Sequence, residues 1–154
     1  MNADDFKAAL GRFASGVTII TCKDQAGRPT GLTATSFASV SLNPPLVLFC
    51  LAKSTNCFDA FQATGAFGVN ILARDQEQLS NRFASKEEDK FRGAAVYDGS
   101  LGSPLLEGAL VRMDCAVEAR YPGGDHIIYV GLVKSVELAE SAPLLYFQGK
   151  YHSV

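Results

Sequence analysis

The sequence predicts a mainly β fold: a closed or nearly closed antiparallel barrel carrying a few short α-helices. Three observations predict it. At least six short runs rich in Val, Ile, Leu, Phe and Thr are separated by clusters of Gly, Pro, Asn and Asp. Tight turns join several neighbouring runs and are too short for helical crossovers, so pairing is antiparallel. Only three stretches show the spacing of an amphipathic helix, and all are short.

Residues 5–14 read as the first helix, with Phe6, Leu10 and Phe13 on one stripe and Gly16 ending it. Residues 17–22 form a β-branched strand. The turn cluster 24–29 leads from it into a second strand containing Gly31-Leu32-Thr33-Ala34, making a hairpin. Ser39-Val40-Ser41-Leu42 follows, and Asn43-Pro44-Pro45 stops it, because proline cannot donate to a central ladder. Residues 46–51 are apolar at every position, as expected of a strand buried on both faces. Residues 56–63 carry Phe58 and Phe61 on one helical face, and residues 67–72 form the next strand.

Asp75-Gln76-Glu77-Gln78 has capping-box spacing and opens a helix through Phe83, with Leu79 and Phe83 on its buried side. From 84 to 108 the pattern dissolves into a charge run, Lys86 to Lys90, and a Gly-rich stretch, read as a long surface excursion over a site or a partner. Two long strands, 109–120 and 126–137, are joined by Tyr121-Pro122-Gly123-Gly124-Asp125, and Leu144–Phe147 ends the fold.

The 154 residues, 47% hydrophobic and 19% charged, suit one domain. Such a chain buries about 70% of its extended surface, enough for a core without staples. A net charge of −2 provides no field to recruit nucleic acid or anionic lipid. The longest apolar run, Leu46–Ala52, falls far short of the roughly 20 residues a spanning helix needs. Met1-Asn2-Ala3-Asp4-Asp5 has no apolar h-region, so no signal peptide is expected. Cys22, Cys50, Cys57 and Cys115 form no C-x-x-C pair, and only two histidines accompany them. A cytoplasmic, metal-free protein with reduced thiols is the expectation.

Three segments carry chemistry. Residues 31–41 are small and hydroxylated, so backbone can approach a flat ligand while hydroxyls and free N–H groups supply polar contacts. A polar strand with an irregular bend fits the same residues. Lys53-Ser54-Thr55-Asn56 lies between a strand and a helix start, where unpaired N–H groups and a full cation suit a phosphate. Plain N-capping is the alternative there, and Cys57 reads as filler. Gly124-Asp125-His126 places an imidazole in a turn entering a strand, able to orient a substrate or simply to satisfy its own surroundings. No catalytic triad, carboxylate pair or G-x-G-x-x-G follows, which disfavours a hydrolase or a Rossmann-type nicotinamide site.

Taken in order, several motifs resemble the flavin reductase-like family. They are Phe13-Ala14-Ser15-Gly16-Val17-Thr18, Gly31-Leu32-Thr33-Ala34, and Ser39-Val40-Ser41-Leu42-Asn43-Pro44-Pro45-Leu46-Val47. Phe67-Gly68-Val69-Asn70-Ile71-Leu72, Gln78-Leu79-Ser80 with Phe83-Ala84, Gly124-Asp125-His126 with Gly131, and Gly149-Lys150-Tyr151-His152 continue the series. The resemblance covers residues 6 to about 152 and is strongest to the small reductases serving phenol and 4-hydroxyphenylacetate hydroxylases.

It implies a flavin-binding split β-barrel of Greek-key type, a homodimer with flavin near the subunit interface, FMN or FAD as flavin, NADH or NADPH as hydride donor, and a separate flavin-dependent monooxygenase as partner. By the same resemblance, Thr33, Ala34, Thr35, Ser36, Phe37 and Ser39 line the isoalloxazine ring, with Cys50 also at the flavin. Lys53, Ser54 and Asn56 hold the phosphate or ribityl chain. Ser80, Arg82, Phe83 and Ala84 close over the other end, and Tyr151 lies near the cofactor. His126 sits beside the nicotinamide as a positioning residue. A non-catalytic flavin-binding or electron-transfer protein on the same barrel is the alternative, and an oxidase of the pyridoxamine-phosphate type is a more distant one.

Overall fold

In the computed structural model, which describes residues 1–154, the centre of the molecule is a seven-stranded antiparallel sheet. Its strands are β2 (Thr18–Lys23), β3 (Pro29–Ala34), β4 (Ala38–Ser41), β5 (Leu46–Ala52), β6 (Ala66–Ile71), β9 (Val111–Gly123) and β10 (His126–Leu138). Their order is β3-β2-β6-β9-β10-β5-β4, and the sheet curls until β3 approaches β5. The barrel expected from the tight turns is therefore present. A small sheet of β1 (Ser15–Gly16), β11 (Leu144–Phe147) and β12 (Lys150–Ser153) flanks it, as does a hairpin of β7 (Val96–Asp98) and β8 (Pro104–Leu106). The helices are α1 (Ala3–Leu10), α2 (Phe58–Ala63) and α3 (Glu77–Ala84).

The interior is built around Phe49. Its ring meets Phe61 and Phe67 edge-on at 5.7 and 5.0 Å and stacks on Tyr129 at 5.1 Å. Aromatic rings favour these offset arrangements because their faces are negative and their edges positive. Gly131 makes room for the cluster: a Cβ there would stand 2.4 Å from Cζ of Phe67. A second cluster of Val17, Ile19, Leu72, Phe83, Leu106 and Leu144 lies under α3 and the small sheet.

Five expectations need correction. The first helix ends at Leu10 and buries none of its residues; Phe13 is 82% exposed. Its apolar stripe has no partner within one chain. Residues 46–51 are not buried on both faces: Val47, Phe49 and Leu51 point inward while Leu46, Leu48 and Cys50 are half-buried. β5 lies next to the edge strand β4, where the chain covers only one side. No capping box forms at 75–78. Gln76 instead accepts from the Ala73 N–H at 2.9 Å, so α3 starts at Glu77 without a side-chain cap.

The stretch 84–108 is a surface excursion only in part: residues 84–102 are mostly exposed, but 103–106 turn inward. Leu105 and Leu106 are buried, the Leu106 N–H donates to Asn70 Oδ1 at 2.8 Å, and Thr21 donates its hydroxyl to the Pro104 carbonyl. Strands of three residues separated by glycines are too short to show a period. Finally, β11 does not end the fold: Gln148 and Gly149, both at positive φ, turn the chain back into β12.

Cys22 and Cys115 are fully buried, and burial pushes both thiols up to about 12. Above about pH 9 the unfolded thiols ionise while the folded ones do not, so folding stability is present below that pH and lost as pH rises towards 12. Cys57 and Tyr129 shift the same way, and Lys90 the opposite way. Each buried thiol contributes on the order of 4 kcal/mol of that loss at the top of the range. Denaturant midpoints measured from pH 8 to 11 should fall, and Cys115→Ala should flatten the fall. An equal slope in the variant would contradict the assignment.

Candidate flavin cleft

A cleft of about 600 Å³ opens where β3, the end of β5 and the C-terminal end of α3 converge. Leu32, Ala52, Phe83 and Ala84 give it apolar surface, while Thr33, Ser54, Thr55, Asn56 and Ser85 give it polar surface. Two cations, Lys86 and Lys90, and one carboxylate, Glu88, also line it. At Thr33 and Ala84 it meets a narrower crevice of about 210 Å³, lined by Val17, Thr35, Ser80, Tyr146 and Tyr151.

The walls are cross-linked. Thr33 donates its hydroxyl to the Ser80 carbonyl at 2.6 Å, tying β3 to α3. Tyr151 donates to Asn81 Oδ1 at 3.0 Å and lies 2.7 Å from the Ser80 hydroxyl, tying β12 to the same helix. Tyr151 has one proton to give, so the Ser80 hydroxyl donates to it. The β5–α2 connection turns tightly: the Lys53 N–H donates to the Asp125 carbonyl at 3.0 Å, and the Thr55 N–H to Ala52 at 3.2 Å. Cys57 occupies the N-cap of α2 without a side-chain capping bond, so neither Ser54 nor Asn56 acts as a cap.

Of the residues singled out in the sequence, Thr33, Ser54, Asn56, Phe83 and Ala84 come together in the main cleft. Thr35, Ser80 and Tyr151 meet in the adjoining crevice. Others lie apart. Ala34 is buried and its carbonyl accepts from Thr18 at 2.6 Å. Phe37 packs on the main core, and Ser39 pairs with Val47 at the sheet edge. The Ser36 hydroxyl is locked onto Cys50, accepting from its N–H at 2.9 Å. Arg82 donates to the Arg92 carbonyl and lines a separate cavity. Lys53 is exposed and absent from the cleft lining.

His126 pairs with Ala52, a residue of the cleft wall, across the β5–β10 ladder and is not itself part of the lining. Its Nδ1 lies 2.7 Å from Asp125 Oδ1. The imidazole beside it, with Lys53 nearby, holds the Asp125 carboxyl below the usual carboxylate range. An anionic Asp125 accepts from Nδ1–H and leaves Nε2 free to meet a ligand.

The flavin reductase like domain model matches residues 10–154. The chain belongs to the flavin reductase-like family. The reductase subunit of a flavin-dependent monooxygenase from Rhodococcus jostii is 44% identical over 150 residues, 97% of this chain and 76% of that protein. An NADH-dependent flavin reductase from a Rhodococcus species is 42% identical over 151 residues, 96% of this chain and 84% of that one. Among solved structures, the flavin reductase PheA2 in its native state superposes with a TM-score of 0.92 at 37% identity, covering 100% of this chain and 99% of that one.

The residues of this flavin reductase-like chain fit a flavin. A lining that mixes apolar surface with hydroxyl and amide groups matches a flat aromatic ring with polar edges, and the lysines match an anionic tail. The sequence missed Lys90 and Asn81. Lys90 sits in a run of charges that reads as a solvated surface, yet it is only 6% exposed. Asn81 carries no motif; only the approach of β12 to α3 selects it.

Proposed function

We propose that this chain is an NAD(P)H-dependent flavin reductase that transfers hydride from a nicotinamide to FMN or FAD and hands the reduced flavin to a separate monooxygenase. The observation that carries the reading is the cleft itself, lined by both apolar and hydroxyl-bearing residues with two lysines, in a chain of this family. When bound, the flavin supplies the hydride acceptor. The chain's own residues have the task of placing two ring systems face to face, and such positioning removes most of the barrier to a hydride transfer.

Phe83 and Ala84 bound one end of the cleft and are held there by the Thr33 and Tyr151 ties to α3. Because the Thr33 proton is already committed to Ser80, Thr33 acts as a strut, and Ser54, Asn56 and the lysines supply contacts to the polar tail. His126 positions the nicotinamide through Nε2 and moves no proton, since hydride transfer needs no general base.

The half-buried outer face of β5 and the exposed Val40 and Leu42 favour pairing of two copies across this edge. No helix is long and apolar enough to cross a membrane, and all four cysteines are free, which supports work in a reducing cytoplasm.

Mixing the purified protein with NADH or NADPH and FMN or FAD, and following the nicotinamide absorbance, tests the reading. Flavin-dependent oxidation well above the protein-free rate is expected. Flavin retained through gel filtration with no turnover would select a non-catalytic flavin carrier instead.

A further inference from the structure

Between β3 and β4 the chain leaves one edge of the large sheet and joins the other, and residues 35–37 make the crossing beside β5. The ladder register says what these residues would do if pairing continued. Ala38 pairs with Leu48 and Ser39 with Val47, so the same register places Ser36 opposite Cys50. That pair does not form. Thr35, Ser36 and Phe37 belong to no strand, and their N–H and C=O groups make no backbone hydrogen bond.

The Ser36 hydroxyl stands in for the missing pair. It accepts from the Cys50 N–H at 2.9 Å and donates to the Cys50 carbonyl at a longer 3.4 Å. In an antiparallel ladder the N–H and C=O of one residue face the same neighbour and are satisfied together by one backbone pair. Here a single side chain satisfies both, so β5 is left with no orphaned group while the backbone of 35–37 stays out of the ladder. The arch is pinned at both ends. Phe37 packs on the main core, and Thr33 is bonded to the Ser80 carbonyl at 2.6 Å.

The arch therefore presents free donors and acceptors on successive residues. Thr35 and Ser36 are exposed, and Thr35 lines the crevice that meets the main cleft. Successive N–H and C=O groups complement the edge of a ring that carries carbonyl oxygens and an imide N–H, as a flavin does.

Resting on the flavin reductase reading, we propose that Ser36 is a positioning residue: by occupying the Cys50 backbone groups, its hydroxyl stops residues 35–37 from pairing with β5 and keeps their N–H and C=O groups available to the flavin ring. Ser36 acts through Cys50. Its removal should differ in sign from the loss of an ordinary structural bond. Without the hydroxyl, the register set by Ala38 and Ser39 continues, β4 lengthens to residue 36, and backbone bonds replace those of the side chain.

Ser36→Ala tests this in the full chain. Flavin followed by fluorescence titration should bind about tenfold more weakly, the effect of losing one hydrogen bond to a ligand. The melting midpoint should hold or rise. In flavin-free protein the amide at position 36 should exchange with solvent about tenfold more slowly than in the native chain, because it then donates to Cys50. Ser36→Thr keeps the hydroxyl and should retain native affinity and fast exchange. Unchanged flavin affinity in Ser36→Ala overturns the role. So does weaker affinity without slower exchange at position 36, which would make Ser36 a direct flavin contact or a plain structural bond. A native protein that binds neither FMN nor FAD would instead overturn the reductase reading, and exchange at position 36 would still decide whether Ser36 holds the arch open.

Discussion

Phe49→Ala is expected to cost about 3–5 kcal/mol of folding stability, the range for deleting a fully buried aromatic ring. Phe49 is completely buried and contacts three other rings, at 5.7, 5.0 and 5.1 Å. Those rings come from α2, β6 and β10, so the cavity would open between elements that are distant in sequence. They cannot close on it independently: Tyr129 is held by the Gln62 amide at 2.8 Å and lies under the Arg120 guanidinium. Gly131 lets Phe67 pass close to β10, which leaves no slack on that side. A domain of this kind has roughly 5–15 kcal/mol in total, so one truncation removes a large share. Guanidinium midpoints for the native protein, Phe49→Leu and Phe49→Ala should fall in that order. A loss below about 1 kcal/mol in the alanine variant would show that the cluster collapses freely and is not the centre of the core.

His126→Ala is expected to raise KM for NADH about tenfold, the effect of losing one well-placed hydrogen bond to a ligand. Flavin affinity should change little, because His126 lies outside the lining of the main cleft. Asp125→Asn should move KM in the same direction by less, since the imidazole remains but its Nδ1 loses the anion 2.7 Å away. The low Asp125 pKa sets the sign of the pH response: the carboxylate stays charged through neutrality, and its hold on His126 weakens only as pH falls through that lowered value. Steady-state kinetics at fixed flavin, with separate fluorescence titration of the flavin, distinguish the two ligands. An unchanged KM for NADH with weakened flavin binding would move His126 from the nicotinamide to the flavin.

Much of the barrel was legible because its signals are local. The hairpin of β2 and β3 follows from a β-branched run and the turn cluster Asp24 to Pro29, and the long β9–β10 ribbon follows from two strand-length runs around Gly124. The cleft was legible in part. Thr33, Ser54 and Asn56 stood out by residue type beside strand and helix ends, Phe83 and Ala84 only through the family resemblance, and these converge. Ser36, singled out by residue type, and Arg82, singled out by the resemblance, do not line the cleft; each is bonded to backbone. No property of either residue type announces that choice.

The amino-acid sequence determined by itself the β class, the seven strands of the central sheet, and the family, since periodicity, turn chemistry and ordered motifs are written within a few residues of one another. Tertiary structure alone decided that Lys90 is buried, that the Thr33 proton is spent on α3, and that residues 103–106 of the β7–β8 hairpin pack inward. Each depends on atoms 7 to 83 positions apart in the chain, such as Lys90 to Phe83 and Thr21 to Pro104. Burial is a property of what packs over a side chain, and a one-dimensional pattern reports only the side chain's own preference.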